Sequence, residues 1–94
     1  MTEATAELFE SHINQDIQVH TPTGAESWRV VSVTRLPSHP FREHPFAAYF
    51  AAPIGSTPKQ GERSAVFSGG EVVDFFAVPI AATNAVVSYE VIFN

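Results

Sequence analysis

The sequence predicts a mainly β domain: a small six-stranded antiparallel barrel or curled sheet with one N-terminal helix. Three observations lead there. From Asp16 onward, apolar and polar residues alternate with a period of two, the period of a half-buried strand. Prolines and glycines interrupt the alternation at hairpin spacing. The chain has 94 residues, 45% of them hydrophobic and eight of them Phe, which fills one core. Two domains would each fall near the lower size limit for a self-sufficient core, so a single domain over 1–94 is expected. Six short strands with apolar faces curl on themselves rather than leave long edges exposed.

The helix is expected over about 5–13. Ala6, Phe9 and Ile13 fall on one face, Thr2 or Thr5 supplies a cap, and Glu3 and Glu7 suit the positive end of the helix dipole. Asn14 is a stop residue that tolerates the left-handed conformation. So short a helix must dock on the sheet, by plugging an open end or covering a strand face.

Strands follow from about 16 to 94. Asp16 to His20 alternates Ile17 and Val19 with polar residues, and Thr21-Pro22-Thr23-Gly24 is a turn. Ser27 to Leu36 is rich in β-branched residues. Pro37, Pro40 and Pro45 then bound a loop that cannot lie inside a central strand. Phe46 to Ala52 is a third strand with Phe46, Ala48 and Phe50 on one face, and Glu62 to Ser68 a shorter fourth. Gly69-Gly70 predicts a two-residue type I′ hairpin with Ser68 opposite Glu71. Glu71 to Ile80 carries Val73, Phe75 and Ala77 on one face and Asp74, Phe76 and Val78 on the other, which predicts cover on both faces. In the last strand, Val86 to Phe93, the apolar face is Val87, Tyr89, Val91 and Phe93. The expected core is Phe46, Phe50, Val73, Phe75, Tyr89, Val91 and Phe93.

Composition excludes several functions. Ten acidic against five basic residues give a net charge of -5, against the clustered Lys and Arg that a phosphate backbone requires, so no nucleic-acid partner is expected. Without cysteine the chain has no disulfides, thiolate metal sites or cysteine nucleophile. No apolar run approaches the roughly 20 residues of a membrane helix. The first residues lack the pattern of a signal peptide. No membrane partner and a cytoplasmic location are therefore expected.

The catalytic candidates are few. His39, Glu43 and His44 share the proline-rich loop and form the residue set of a catalytic zinc site. Their spacing differs from the helical arrangement that puts two imidazoles on one face, and the expectation is that they hold no metal and that no cofactor binds. Ser38 and His39 are adjacent and point apart in an extended loop, and no nucleophile elbow is present. Asp74 lies mid-strand between Val73 and Phe75. It is either a partly buried acid of a site or an outward residue paired with an arginine or a hydroxyl. Trp28, Tyr49 and Phe41 either stack on bases or sugars or belong to core and rim packing. Pro37 to Pro40 matches the P-x-x-P pattern of peptide ligands.

Several pieces in order carry a resemblance: Leu36-Pro37 with His39-Pro40, Pro45-Phe46 leading to Phe50 and Pro53, Pro58-x-Gln60-Gly61, Val78-Pro79-Ile80, and the closing Tyr89-Glu90-Val91-Ile92-Phe93-Asn94. From about Leu8 onward the chain resembles a family of small, uncharacterised bacterial proteins, a domain of unknown function with LPxHP, PxQG, VP[IV] and C-terminal YExxFN motifs. It departs where Glu62-Arg63 replaces the usual tyrosine and where Ser68-Gly69-Gly70 replaces a longer, histidine-containing turn. The family is often encoded near phage-tail-collar-like proteins, so the resemblance implies an assembly role and no catalytic residue.

The expected function is a non-enzymatic protein-interaction or assembly module, accessory to a phage-tail-like or surface structure. Alternatives are a small-ligand-binding barrel and a metal-assisted hydrolase using His39, Glu43 and His44. The expected interface is the loop from Pro37 to Pro45, with Phe41 as anchor, Arg42 at its rim and His39 beside them. Its partner is another protein or a second copy of the chain, most simply as a dimer.

Overall fold

The computed structural model describes residues 4–22, 24–38, 44–53 and 59–93. Among them are a helix, α1 (Ala6–Glu10), and six strands: β1 (Asp16–Thr21), β2 (Gly24–Arg35), β3 (Phe46–Pro53), β4 (Gly61–Val66), β5 (Val72–Ala82) and β6 (Val86–Phe93). The strands close into a barrel in the order β1-β2-β3-β6-β5-β4, with every neighbouring pair antiparallel. Two three-stranded meanders, β1-β2-β3 and β4-β5-β6, thus join along β3–β6 and β1–β4. Closure removes the spare edges that would invite a second chain to pair by strand addition.

The helix ends earlier than its apolar spacing predicts. Thr5 caps it, its side chain accepting from the Leu8 amide at 3.2 Å. After Glu10 the chain turns, because residues 13–15 must lie along β2. Ile13 forms a bridge with Val30, and the Asn14 amide donates to the Val30 carbonyl at 2.8 Å. Asn14 takes φ 70°, the left-handed conformation expected of the stop residue. His12 ties this turn to the barrel. Its Nδ1 lies 2.9 Å from the Leu8 carbonyl, which fixes Nδ1 as the donor. Nε2 then accepts from the Ser68 hydroxyl at 3.1 Å.

The helix plugs one end of the barrel. Phe9 is fully buried, and its ring lies 5.1–6.5 Å, centroid to centroid, from Phe46, Phe50, Phe67, Phe75 and Phe93. Further in, Trp28 stacks on Tyr89 at 4.4 Å and Phe50 on Phe75 at 5.5 Å. Of the expected core, Phe46, Phe50, Val73, Phe75, Tyr89 and Val91 are buried, and Phe93 is half-buried against them. Phe9, Trp28 and Phe67 join it, together with aliphatic residues such as Ile17, Val19, Val30 and Val87.

Strand β5 corrects one expectation. Val73, Phe75 and Ala77 point inward as predicted, while Asp74 and Phe76 on the opposite face are exposed and Val78 is half-buried. A closed barrel buries only its inner face, and the one short helix is spent at the barrel's end. β5 also changes partner along its length. Residues 72–77 pair with β4, and Val78 to Ala82 pair with β6. The register shifts between Pro79 and Ala81, leaving Ile80 as the extra residue of a bulge, where a strand proline is tolerated. Val31 occupies the matching position in the shift between Val30 and Ser32.

The β4–β5 hairpin corrects another. The Phe67 amide donates to the Glu71 carbonyl and the Gly70 amide to the Phe67 carbonyl, each at 2.9 Å, so Phe67 faces Glu71 across a three-residue loop. Only Gly70 of the glycine pair has positive φ, at 90°. Burial sets this register. Directly paired residues share a face, and Ala65 and Val73, both buried, are paired. Ser68 opposite Glu71 would have paired Ala65 with the outward Asp74.

The plug and the loop each give a test. Phe9→Ala is expected to cost about 3–5 kcal/mol in urea unfolding, as an emptied aromatic site does, and a loss below about 1 kcal/mol shows that the plug does not hold the barrel. Gly70→Ala is expected to cost about 1–2 kcal/mol because an L-residue is strained at that φ. Gly69→Ala should stay within about 0.5 kcal/mol, as at other surface sites. Its new Cβ would meet only the Glu71 carboxylate, at 2.6 Å, and that side chain can swing into water. A type I′ turn would make both glycines costly to replace.

Candidate functional site

The candidate residues in the loop fall largely outside what is described. His39, Phe41, Arg42 and Glu43 lie outside the described residues, so neither the predicted interface nor the zinc-type set acquires a geometry. His44 is exposed at the loop's end, beside buried Pro45, whose carbonyl accepts from the Leu36 amide at 3.0 Å. Among the described residues there is no group of three metal-ligating side chains.

The aromatic candidates separate. Trp28 is core, with its indole N–H donating to Glu26 Oε1 at 2.9 Å. Tyr49 is half-buried on the outer face, paired with Glu90 across β3–β6, and its hydroxyl donates to Glu90 Oε2 at 2.9 Å. This bond raises the Tyr49 pKa above its ordinary value, with burial and the Glu90 charge adding to the effect, since a phenolate would face the carboxylate. Asp74 takes the second of its two readings: it points outward and accepts a hydrogen bond from the Ser64 hydroxyl.

That pair belongs to a row the sequence reading did not single out. His20 on β1 pairs with Ser64 on β4, and Ser64 pairs with Asp74 on β5, so three polar side chains lie side by side on the outer face. With Glu62 and Phe76, the next pair on that face of the β4–β5 ladder, and Arg63 and Phe75 of the pair between, they line an open concavity of about 480 Å³. The row has the residue types of a hydrolytic triad in the wrong order. Nucleophilic catalysis places the imidazole between hydroxyl and carboxylate, so that it accepts the hydroxyl proton. Here the hydroxyl lies between and donates directly to the carboxylate. The arrangement is a polar wall, with Phe76 beside it as an aromatic one.

Arg63, between Glu62 and Ser64, turns inward. It is 8% exposed, and its guanidinium donates to the carbonyls of Glu62 and Lys59 at 2.9 and 2.8 Å over the open Cα of Gly61. Its Nε has no partner. The other described arginines are engaged at the surface, Arg29 with Asp16 at 3.2 Å and Arg35 with Glu10 at 2.8 Å. No basic side chain among the described residues pairs with Glu62 or Asp74.

The barrel interior, where a ligand pocket would lie, is filled by Trp28, Tyr89, Phe9, Phe46 and Phe50, all fully buried. What distinguishes the surface is its apolar content. Phe76 is 50%, Ile80 52% and Ile92 49% exposed.

A family model matches residues 4–93, from the residues before α1 to the end of β6. The chain belongs to the family described as Domain of unknown function (DUF6916). The match spans the plug and every described strand, so the closed barrel with its helical stopper is the unit that the family model covers. No curated protein and no solved structure gives a significant match to the chain.

The Tyr49–Glu90 bond is open to titration. Phenolate absorbance should show Tyr49 ionising above the ordinary value of about 10. Glu90→Gln should bring it back down. Because the folded pKa is raised, the bond's contribution to stability is present below the unfolded value and is lost as pH rises through the folded one. An unchanged titration in Glu90→Gln shows that the bond does not form in solution.

Proposed function

We propose that this domain is a non-enzymatic protein-interaction or assembly module acting through the outer face of β5 and β6. The carrying observation is where the exposed apolar side chains lie. Of the five large hydrophobics exposed among the described residues, Val72, Phe76, Ile80 and Ile92 are on these two strands and only Val31 is elsewhere. Apolar surface gathered on one face of a small domain marks a contact site, whereas scattered single residues carry no such meaning. The side-chain-filled barrel favours work at the surface over ligand storage.

In its finer form the module is accessory to a phage-tail-like or surface assembly and acts in the cytoplasm or within a larger particle. The support for this form is the resemblance to proteins often encoded beside phage-tail-collar-like neighbours. The loop from Pro37 to Pro45, with His39, Phe41 and Arg42, remains a second candidate contact of the same module. No helix among the described residues is long and apolar enough to cross a membrane.

The experiment compares wild type with an Ile80→Ser, Ile92→Ser double variant of matched circular dichroism. Light scattering reads self-association, and co-purification from the source cell reads stoichiometric partners. The expected result is a saturable association, with a partner or a second copy, that the variant loses. Equal association by both proteins, or none by either, overturns the reading for this face.

A further inference from the structure

We propose that the concavity beside Phe76 receives a basic side chain, lysine or arginine, projected by a protein partner. The proposal rests on the interaction-module reading and assigns the partner its chemistry. The concavity joins an aromatic face to two carboxylates. Glu62 is the cross-strand partner of Phe76, and Asp74 lies two residues before Phe76 on the same face of β5. The Ser64 hydroxyl holds the Asp74 carboxylate in place from the side. An aliphatic stem lying along the Phe76 ring would carry a terminal cation between Glu62 and Asp74. A cation over an aromatic ring is attracted by the ring's quadrupole as well as by the carboxylates.

Charge decides among occupants. The chain has a net charge of -5; Arg29 and Arg35 are held in other ion pairs, and Arg63, which also lines the concavity, spends its guanidinium on the Glu62 and Lys59 carbonyls rather than on a carboxylate. Among the described residues, neither carboxylate of the concavity takes part in an ion pair. A second copy docking through the same patch in a two-fold dimer would set Glu62 and Asp74 against their own equivalents, and like charges facing each other oppose association. An anionic ligand is opposed in the same way. A basic partner is attracted at long range, and its rate of association falls with added salt.

The test uses the whole chain, labelled with nitrogen-15, and three end-blocked peptides in which leucine alternates with arginine, with citrulline or with glutamate. The expected result is that the arginine peptide shifts the amides of Glu62, Ser64, Asp74 and Phe76, that citrulline weakens binding about tenfold, and that the glutamate peptide does not bind there. A Glu62→Gln, Asp74→Asn variant should lose about tenfold in affinity for the arginine peptide and lose the salt dependence. Phe76→Leu, which keeps an apolar side chain and removes the ring, should weaken it less.

Equal binding of the arginine and citrulline peptides, full binding by the carboxamide variant, or no shift with any peptide overturns the basic occupant. Self-association that Phe76→Ser abolishes assigns the concavity to a second copy. Each of these results leaves the interaction-module reading to its own test, which depends on Ile80 and Ile92.

Discussion

The barrel depends on the insertion of Phe9. Six strands enclose an interior that their own side chains fill, large rings such as Trp28, Tyr89 and Phe50 packing with smaller residues such as Val19, Val30 and Val87. At one end, Phe46, Phe75 and Phe93 from three strands converge with Phe67, the residue after β4, and the gap between them is filled by a residue from outside the sheet. Five helical residues would not be stable alone. Their stability comes from burying Phe9 and Ala6, while the barrel end in turn needs Phe9 to exclude water. Helix and barrel are therefore one cooperative unit, and His12, bridging Leu8 to Ser68, fastens the plug to the hairpin it closes.

Closure has a consequence for the surface. Once the strands form a ring, the inner face takes the aromatic residues and the outer face has no second layer to cover it. Apolar residues on the outer face are then exposed by topology. On most of the barrel that face is polar or small. On β5 and β6 it carries Phe76, Ile80 and Ile92, and Ile80 is the extra residue of the bulge beside Pro79. The same bulge lies where β5 has passed from β4 to β6.

The basic residues show a complementary economy. Arg29 and Arg35 pair with carboxylates on neighbouring elements, the second joining β2 to α1 through Glu10. Arg63 turns from the surface to satisfy carbonyls at the end opposite the plug. Among the described residues, Glu62 and Asp74 on the outer face of β4 and β5 therefore have no ion-pair partner.

Much of the fold was legible in the chain because it depends on local periodicity. The strand order along the sequence, the inward faces of β3, β5 and β6, and the left-handed conformation of Asn14 all follow from period-two alternation and backbone preferences, whereas the helix end at Glu10, four residues earlier, does not. The Gly69-Gly70 register was misread through turn chemistry alone; matching buried Ala65 with buried Val73 specifies the three-residue loop and also aligns Ser64 with Asp74. His20 could not be joined to them from the sequence, because the β1–β4 pairing unites residues 44 positions apart and only closure creates it. The same is true of the exposure of Phe76, which its apolar character pointed away from. Alternation determines which side chains share a face. Whether that face lies against a core or against water depends on which strands become neighbours when the ring closes, and that is a property of the tertiary structure alone.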